Sequence, residues 1–133
     1  MELYAYSAAV TVLTVFLLFG LAFRVGLARG KGKVKTYETY TTKDKDFIIA
    51  TRIHLNTLEN VVIFLPLLWV ATLYASPLWA AVVGVVWLLA RVAFAYLYQL
   101  DPKKRAPAFM LSVACLFALA VLSVYGLVQV CLA

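Results

Sequence analysis

The run Arg52-Ile53-His54-Leu55-Asn56-Thr57-Leu58-Glu59-Asn60, followed by the uncharged stretch from Val61 to Ala75, decides how this chain folds. At ~100° per residue, Arg52, Asn56 and Glu59 fall within roughly 60° of one helical face. The apolar continuation is long enough, at its predicted extent of residues 47–75, to exceed the roughly 20 residues that cross ~30 Å of hydrocarbon. A charge at the centre of such a helix costs on the order of 3 kcal/mol to insert. The polar stripe must therefore face protein, water or a ligand, and it is the first pointer to function.

Three more segments of the same kind flank this one, at about residues 3–28, 78–100 and 107–132. With 65% hydrophobic residues, 14% charged residues and a mean hydropathy of +0.95, the composition is that of an integral membrane protein and excludes a soluble domain. The expected fold is all-α, a four-helix membrane bundle forming a single domain over residues 1–133, without internal repeats. The first segment reads as an anchor rather than a cleaved leader. Its start, Met1-Glu2-Leu3, has no Lys or Arg, and its apolar run is longer than an ordinary signal core.

Loop charge predicts the topology. Arg29, Lys31, Lys33, Lys35, Lys43 and Lys45 precede the second span, and Lys103, Lys104 and Arg105 follow the third, whereas the Ser76-Pro77 connection is uncharged. The positive-inside rule places both basic loops in the cytoplasm and both termini on the opposite side. The net charge of +6 then reflects topology and contact with anionic headgroups, not nucleic-acid binding. Cys115 and Cys131 sit roughly 24 Å apart along one helix, beyond disulfide reach. One His and two distant Cys offer no metal-ligand spacing, so no metal is expected.

The third span brings a second polar face to the depth of the first. Arg91, Phe94 and Tyr98 lie within ~60° of one another, and Arg105 follows at the boundary with the fourth span. Glu59 could pair with Arg52 or Arg91, and Asn56 could bond across helices, as packing devices. Three arginines against one carboxylate nevertheless leave positive charge over, which points to an anionic ligand. His54 lies about 200° from Arg52 on the wheel, facing another helix or a neighbouring subunit.

The pattern Arg52-x-His54-x-Asn56-x-x-Glu59-Asn60 with Phe64 and Pro66, then Arg91-x-x-Phe94-x-x-x-Tyr98 and Arg105, resembles the signature of the MAPEG superfamily, the membrane-associated proteins of eicosanoid and glutathione metabolism. That resemblance implies a homotrimer with glutathione, as co-substrate, held between subunits near the cytoplasmic face. It implies that Arg52, Asn56 and Glu59 grip the tripeptide, with Glu59 on its ammonium and arginines on its carboxylates. It further implies contacts from Arg91, Phe94 and Tyr98, from His54 across the subunit boundary and from Arg29 at the end of the first span. Arg105 would be the catalytic residue, stabilising the thiolate. Phe94, where some members carry Tyr, and Asn60, where several carry an aromatic or other group, depart from the pattern.

The implied function is that of a membrane-bound glutathione transferase or peroxidase acting on lipophilic electrophiles or lipid hydroperoxides that arrive from the bilayer. Two other readings compete with it. One is a non-catalytic lipid-binding scaffold of the same superfamily, which has no need of a thiolate-stabilising Arg105. The other is a small multidrug-type exporter, which needs a carboxylate free of arginines, whereas Glu59 shares its face with Arg52.

Overall fold

The computed structural model describes residues 2–133 and consists of four long helices: α1 (Glu2–Gly32), α2 (Lys45–Tyr74), α3 (Pro77–Leu100) and α4 (Ala106–Leu132). All four are long and apolar enough to cross a membrane. At ~1.5 Å per residue, α1 is about 46 Å long and α2 about 45 Å, so both outrun a hydrocarbon core of ~30 Å. This explains the difference from the sequence-based boundaries: hydropathy marks where lipid ends, while backbone hydrogen bonding continues to Gly32 and begins again at Lys45. Phe16, Phe19, Phe23 and Phe117 are each more than 60% exposed, as outward-facing side chains in lipid should be.

Local sequence explains the helix ends. At the end of α1, Lys33 adopts φ 52° while Lys33 N–H donates to the Gly30 carbonyl at 3.3 Å and Val34 N–H to the Arg29 carbonyl at 3.0 Å. That is a Schellman-type stop, with Val34 buried as its apolar contact. Asp44 caps α2 by accepting from Phe47 N–H at 2.9 Å. Ser76 caps α3, with Pro77 as its first residue. Asp101 closes α3 and opens a 3-10 turn, Pro102–Arg105, that leads directly into α4.

Helix α2 packs against all three others, and α1 meets α2 and α3. In the middle of the bundle Phe64 of α2 stacks on Trp87 of α3, with ring centroids 3.7 Å apart, among Val10, Leu68, Cys115 and Leu119. Cys115 is buried and Cys131 exposed, both as free thiols. Polar cross-links tie the helices elsewhere. Ser7 and Thr72 hydroxyls are 2.8 Å apart, Trp69 Nε1–H donates to Thr11 Oγ1 at 3.1 Å, and Ser123 Oγ–H donates to the Leu67 carbonyl at 3.2 Å. At the end remote from the basic loops, α2 and α4 approach so closely that a Cβ on Gly126 would lie 2.5 Å from the Tyr74 carbonyl carbon. Only glycine fits there.

Candidate functional site

At the end of the bundle that bears the basic loops, α2, α3 and the 3-10 turn enclose a cleft of about 250 Å³ lined by Arg52, Leu55, Asn56, Glu59, Tyr98 and Arg105. The stripe on α2 and the end of α3 thus meet, as the helical spacing predicts. Arg52, Glu59 and Arg105 are exposed to the cleft opening, Asn56 is half-buried, and Tyr98 is buried as part of its floor. Arg105 reaches its place because the short 3-10 turn folds the chain back over α3, which sets its guanidinium above the Tyr98 ring at 5.0 Å from the centroid.

The floor of the cleft is a continuous relay of side chains. Tyr98 meets Phe94 edge to face at 5.6 Å, and Phe94 lies beneath the Arg91 guanidinium, 4.1 Å from its centroid. Arg91 Nη2 donates to Asn56 Oδ1 and to Thr57 Oγ1, each at 2.8 Å, and Nη1 donates to Ser112 Oγ at 3.3 Å. Arg91 and Phe94 are completely buried. A guanidinium so placed is tolerable because neutral oxygens from α2 and α4, together with an aromatic face, take up its donors. Its Nε is left without a partner. Arg91 therefore does not line the cleft; it anchors the residue that does. The hydrogen bond orients Asn56, since an amide oxygen accepting from Arg91 leaves the NH₂ group as the half that can turn toward the cleft.

The remaining candidates lie apart from the cleft. His54 is half-buried and is not among its lining residues. Arg29 is held by its own loop: its guanidinium donates to the Val34 and Lys35 carbonyls at 3.4 and 3.3 Å and to Thr39 Oγ1 at 3.1 Å, and it covers the Phe47 ring at 4.8 Å. Within one chain it fixes the connection between α1 and α2. Thr57 and Ser112, the hydroxyl partners of Arg91, carry no charge that marks them in the sequence. The signal that could have found them is a hydroxyl within an apolar helix at the depth of a buried arginine. Among the described residues no cluster of His, Cys, Asp and Glu capable of holding a metal occurs.

Asn60, next to Glu59 in sequence, opens onto a second space. It lines a largely apolar groove of about 330 Å³ between α2 and α4, with Ile63, Leu67, Leu116 and Phe117. Asn60 Nδ2–H donates to the Asn56 carbonyl at 3.2 Å, while its Oδ1 is buried without a partner. A polar cleft and an apolar groove thus adjoin consecutive residues of one helix. A hydrophilic reactant and a lipophilic one can be brought together at such a junction.

Comparison with known proteins points the same way. The model of the MAPEG family matches residues 7–125. An uncharacterised protein of the cyanobacterium Synechocystis is 39% identical over 106 residues, 80% of this chain and 76% of its own length. Microsomal glutathione S-transferase 2 of mouse is 34% identical over 119 residues, covering 90% of this chain and 80% of the mouse protein. The human protein of that name is 32% identical over 120 residues with the same coverages.

Proposed function

The chain belongs to the MAPEG family, and on that premise we propose that it is a glutathione transferase of the membrane, joining the glutathione thiolate to lipophilic electrophiles and reducing lipid hydroperoxides. The observation that carries this reading is the charge pattern of one cleft, in which Arg52 and Arg105 stand with Glu59, Asn56 and Tyr98. Glutathione carries two carboxylates, an ammonium and a thiol. Glu59 suits the ammonium, Arg52 a carboxylate, and the Asn56 amide a carbonyl or carboxylate oxygen. The relatives named microsomal glutathione S-transferase 2 support the same ligand.

The chemistry follows from charge. A thiol of pKa ~8.5 is only a few per cent ionised at neutral pH, and each unit by which a neighbour lowers that value corresponds to about 1.4 kcal/mol. With Arg52 on a carboxylate, Arg105 at the cleft opening above Tyr98 is the arginine left for the sulfur in this reading. In conjugation the thiolate forms a carbon–sulfur bond and the electrophile's leaving group departs with the electron pair. In peroxide reduction the thiolate attacks one peroxide oxygen, the O–O bond breaks and the alkoxide leaves with the electron pair to be protonated to the alcohol. A second glutathione then attacks the sulfenic sulfur, water departs and the disulfide forms. The lipophilic reactant would enter from the bilayer along the groove beside Asn60.

The reading includes a homotrimer, in which His54 and Arg29 of one subunit complete the site of the next, and an orientation with both basic loops and the cleft in the cytoplasm. Native mass spectrometry in a mild detergent tests the assembly; only monomer or dimer would remove it. The function itself is tested by titrating purified protein with glutathione and assaying conjugation of a lipophilic electrophile. Saturable binding with turnover supports the transferase. Binding of lipids without turnover under any condition would favour the scaffold reading instead.

A further inference from the structure

On another side of the bundle from the cleft, a second polar space of about 280 Å³ is lined by Arg24 and Lys31 of α1, Asp46 of α2 and Gln99 of α3. It shares no residue with the glutathione cleft. Two of its residues, Arg24 and Gln99, also head a largely apolar groove of about 410 Å³ running away from it between α1 and α3. Phe16, Gly20 and Arg24 form one wall at helical spacing, and Val92, Ala95 and Gln99 the other. From Arg24 to Phe16 the groove runs about 12 Å, close to half of a ~30 Å hydrocarbon core. The α1 wall leaves open space at Gly20, where an added Cβ would meet nothing within 4 Å.

Arg24 is half-buried in this otherwise apolar stripe. Arg29 and Arg91, by contrast, have their guanidiniums engaged by groups of the chain. Among the described residues no side-chain hydrogen bond or ion pair engages Arg24, Lys31, Asp46 or Gln99. A charge at this depth needs a counter-charge or a path to the headgroup layer. Two cations and one carboxylate at the mouth of an acyl-sized groove have a complement: an amphiphile with one fixed negative charge, one ammonium and an alkyl chain.

We propose that this space and the groove together bind one membrane phospholipid of the ethanolamine class, with its phosphodiester between Arg24 and Lys31, its primary ammonium at Asp46 and an acyl chain along α1 and α3. A phosphatidylglycerol headgroup offers Asp46 only neutral hydroxyls and no cation to offset its charge. A choline headgroup has no N–H to donate to the carboxylate.

The test uses native mass spectrometry of the whole protein, delipidated in mild detergent and offered equal amounts of phosphatidylethanolamine, phosphatidylcholine and phosphatidylglycerol with the same chains. The wild type should retain the ethanolamine lipid in preference to the others. Arg24→Ala with Lys31→Ala should lower that retention about thirtyfold, since each of the two cations near a lipid phosphate contributes ~1 kcal/mol and about 1.4 kcal/mol is a factor of ten. Asp46→Asn should abolish the preference over phosphatidylcholine while phospholipid binding persists. Gly20→Leu fills the groove without touching a charge and should reduce retention by itself, so the proposal stays testable even if the double variant misfolds. Equal retention of all three lipids by the wild type, preference for phosphatidylglycerol, or undiminished binding in Gly20→Leu would overturn it.

Discussion

Arg91 of α3 donates to Asn56 Oδ1 of α2 at 2.8 Å, and through that bond a residue with no access to the cleft determines which face of an amide the cleft presents. The guanidinium is itself held by Thr57 and Ser112 and by the Phe94 ring. Three helices therefore meet on one buried cation.

Replacing Arg91 with Met leaves the Asn56, Thr57 and Ser112 oxygens without their donor in a buried setting. The expected loss is about 3 kcal/mol of stability, read as a lower melting temperature in detergent. Glutathione affinity should fall as well, because Asn56 loses its orientation. Lysine at this position should recover stability in part but not the affinity, since a single ammonium does not reproduce the guanidinium's fork. Full glutathione affinity in Arg91→Met would show that Asn56 does not depend on it.

Glu59 and Arg52 line the cleft directly. Charged hydrogen bonds are each worth about 1.5–3 kcal/mol, so Glu59→Gln and Arg52→Ala should each weaken glutathione binding by roughly tenfold or more in isothermal titration. Both residues are exposed, so the melting temperature should hardly change. If neither variant alters the affinity, glutathione does not bind in this cleft.

Gly126 is a test of the fold rather than of the site. A methyl group there would lie 2.5 Å from the Tyr74 carbonyl, and helix backbones do not yield as flexible side chains do. Overpacking of this kind costs about 1–3 kcal/mol. Gly126→Ala should therefore melt earlier, while Gly20→Ala, where the added Cβ meets open space, should not. Equal melting of the two variants would contradict the close packing of α2 on α4.

The four spans and the α2 stripe could be read in the sequence because hydropathy and the 3.6-residue period are properties of each segment alone. The convergence of Asn56, Glu59, Tyr98 and Arg105 followed from antiparallel neighbours joined by short connections. The fate of Arg91 could not be read in this way. Counting charges marked it as surplus, but its partners are neutral hydroxyls, and Ser112 lies on a helix whose rotation the sequence leaves open. Arg29 is similar: its donors are satisfied by backbone carbonyls of a loop whose path depends on the Schellman stop at Lys33. Neutral backbone and hydroxyl acceptors leave no charge signature to read.

Arg105 carries the central claim, that the cleft holds glutathione as its thiolate. It sits above Tyr98 at the cleft opening, where it can stabilise a charge developing on sulfur more than the neutral thiol. Arg105→Ala should then lower turnover by about a hundredfold or more, with a much smaller change in glutathione affinity. The direct measurement is the ultraviolet difference absorbance of the thiolate when glutathione is added to the purified protein at neutral pH. The account predicts a saturable rise in the wild type, and little or none in Arg105→Ala under saturating glutathione. No rise in the wild type, or an undiminished rise and full transferase rate in Arg105→Ala, would contradict it.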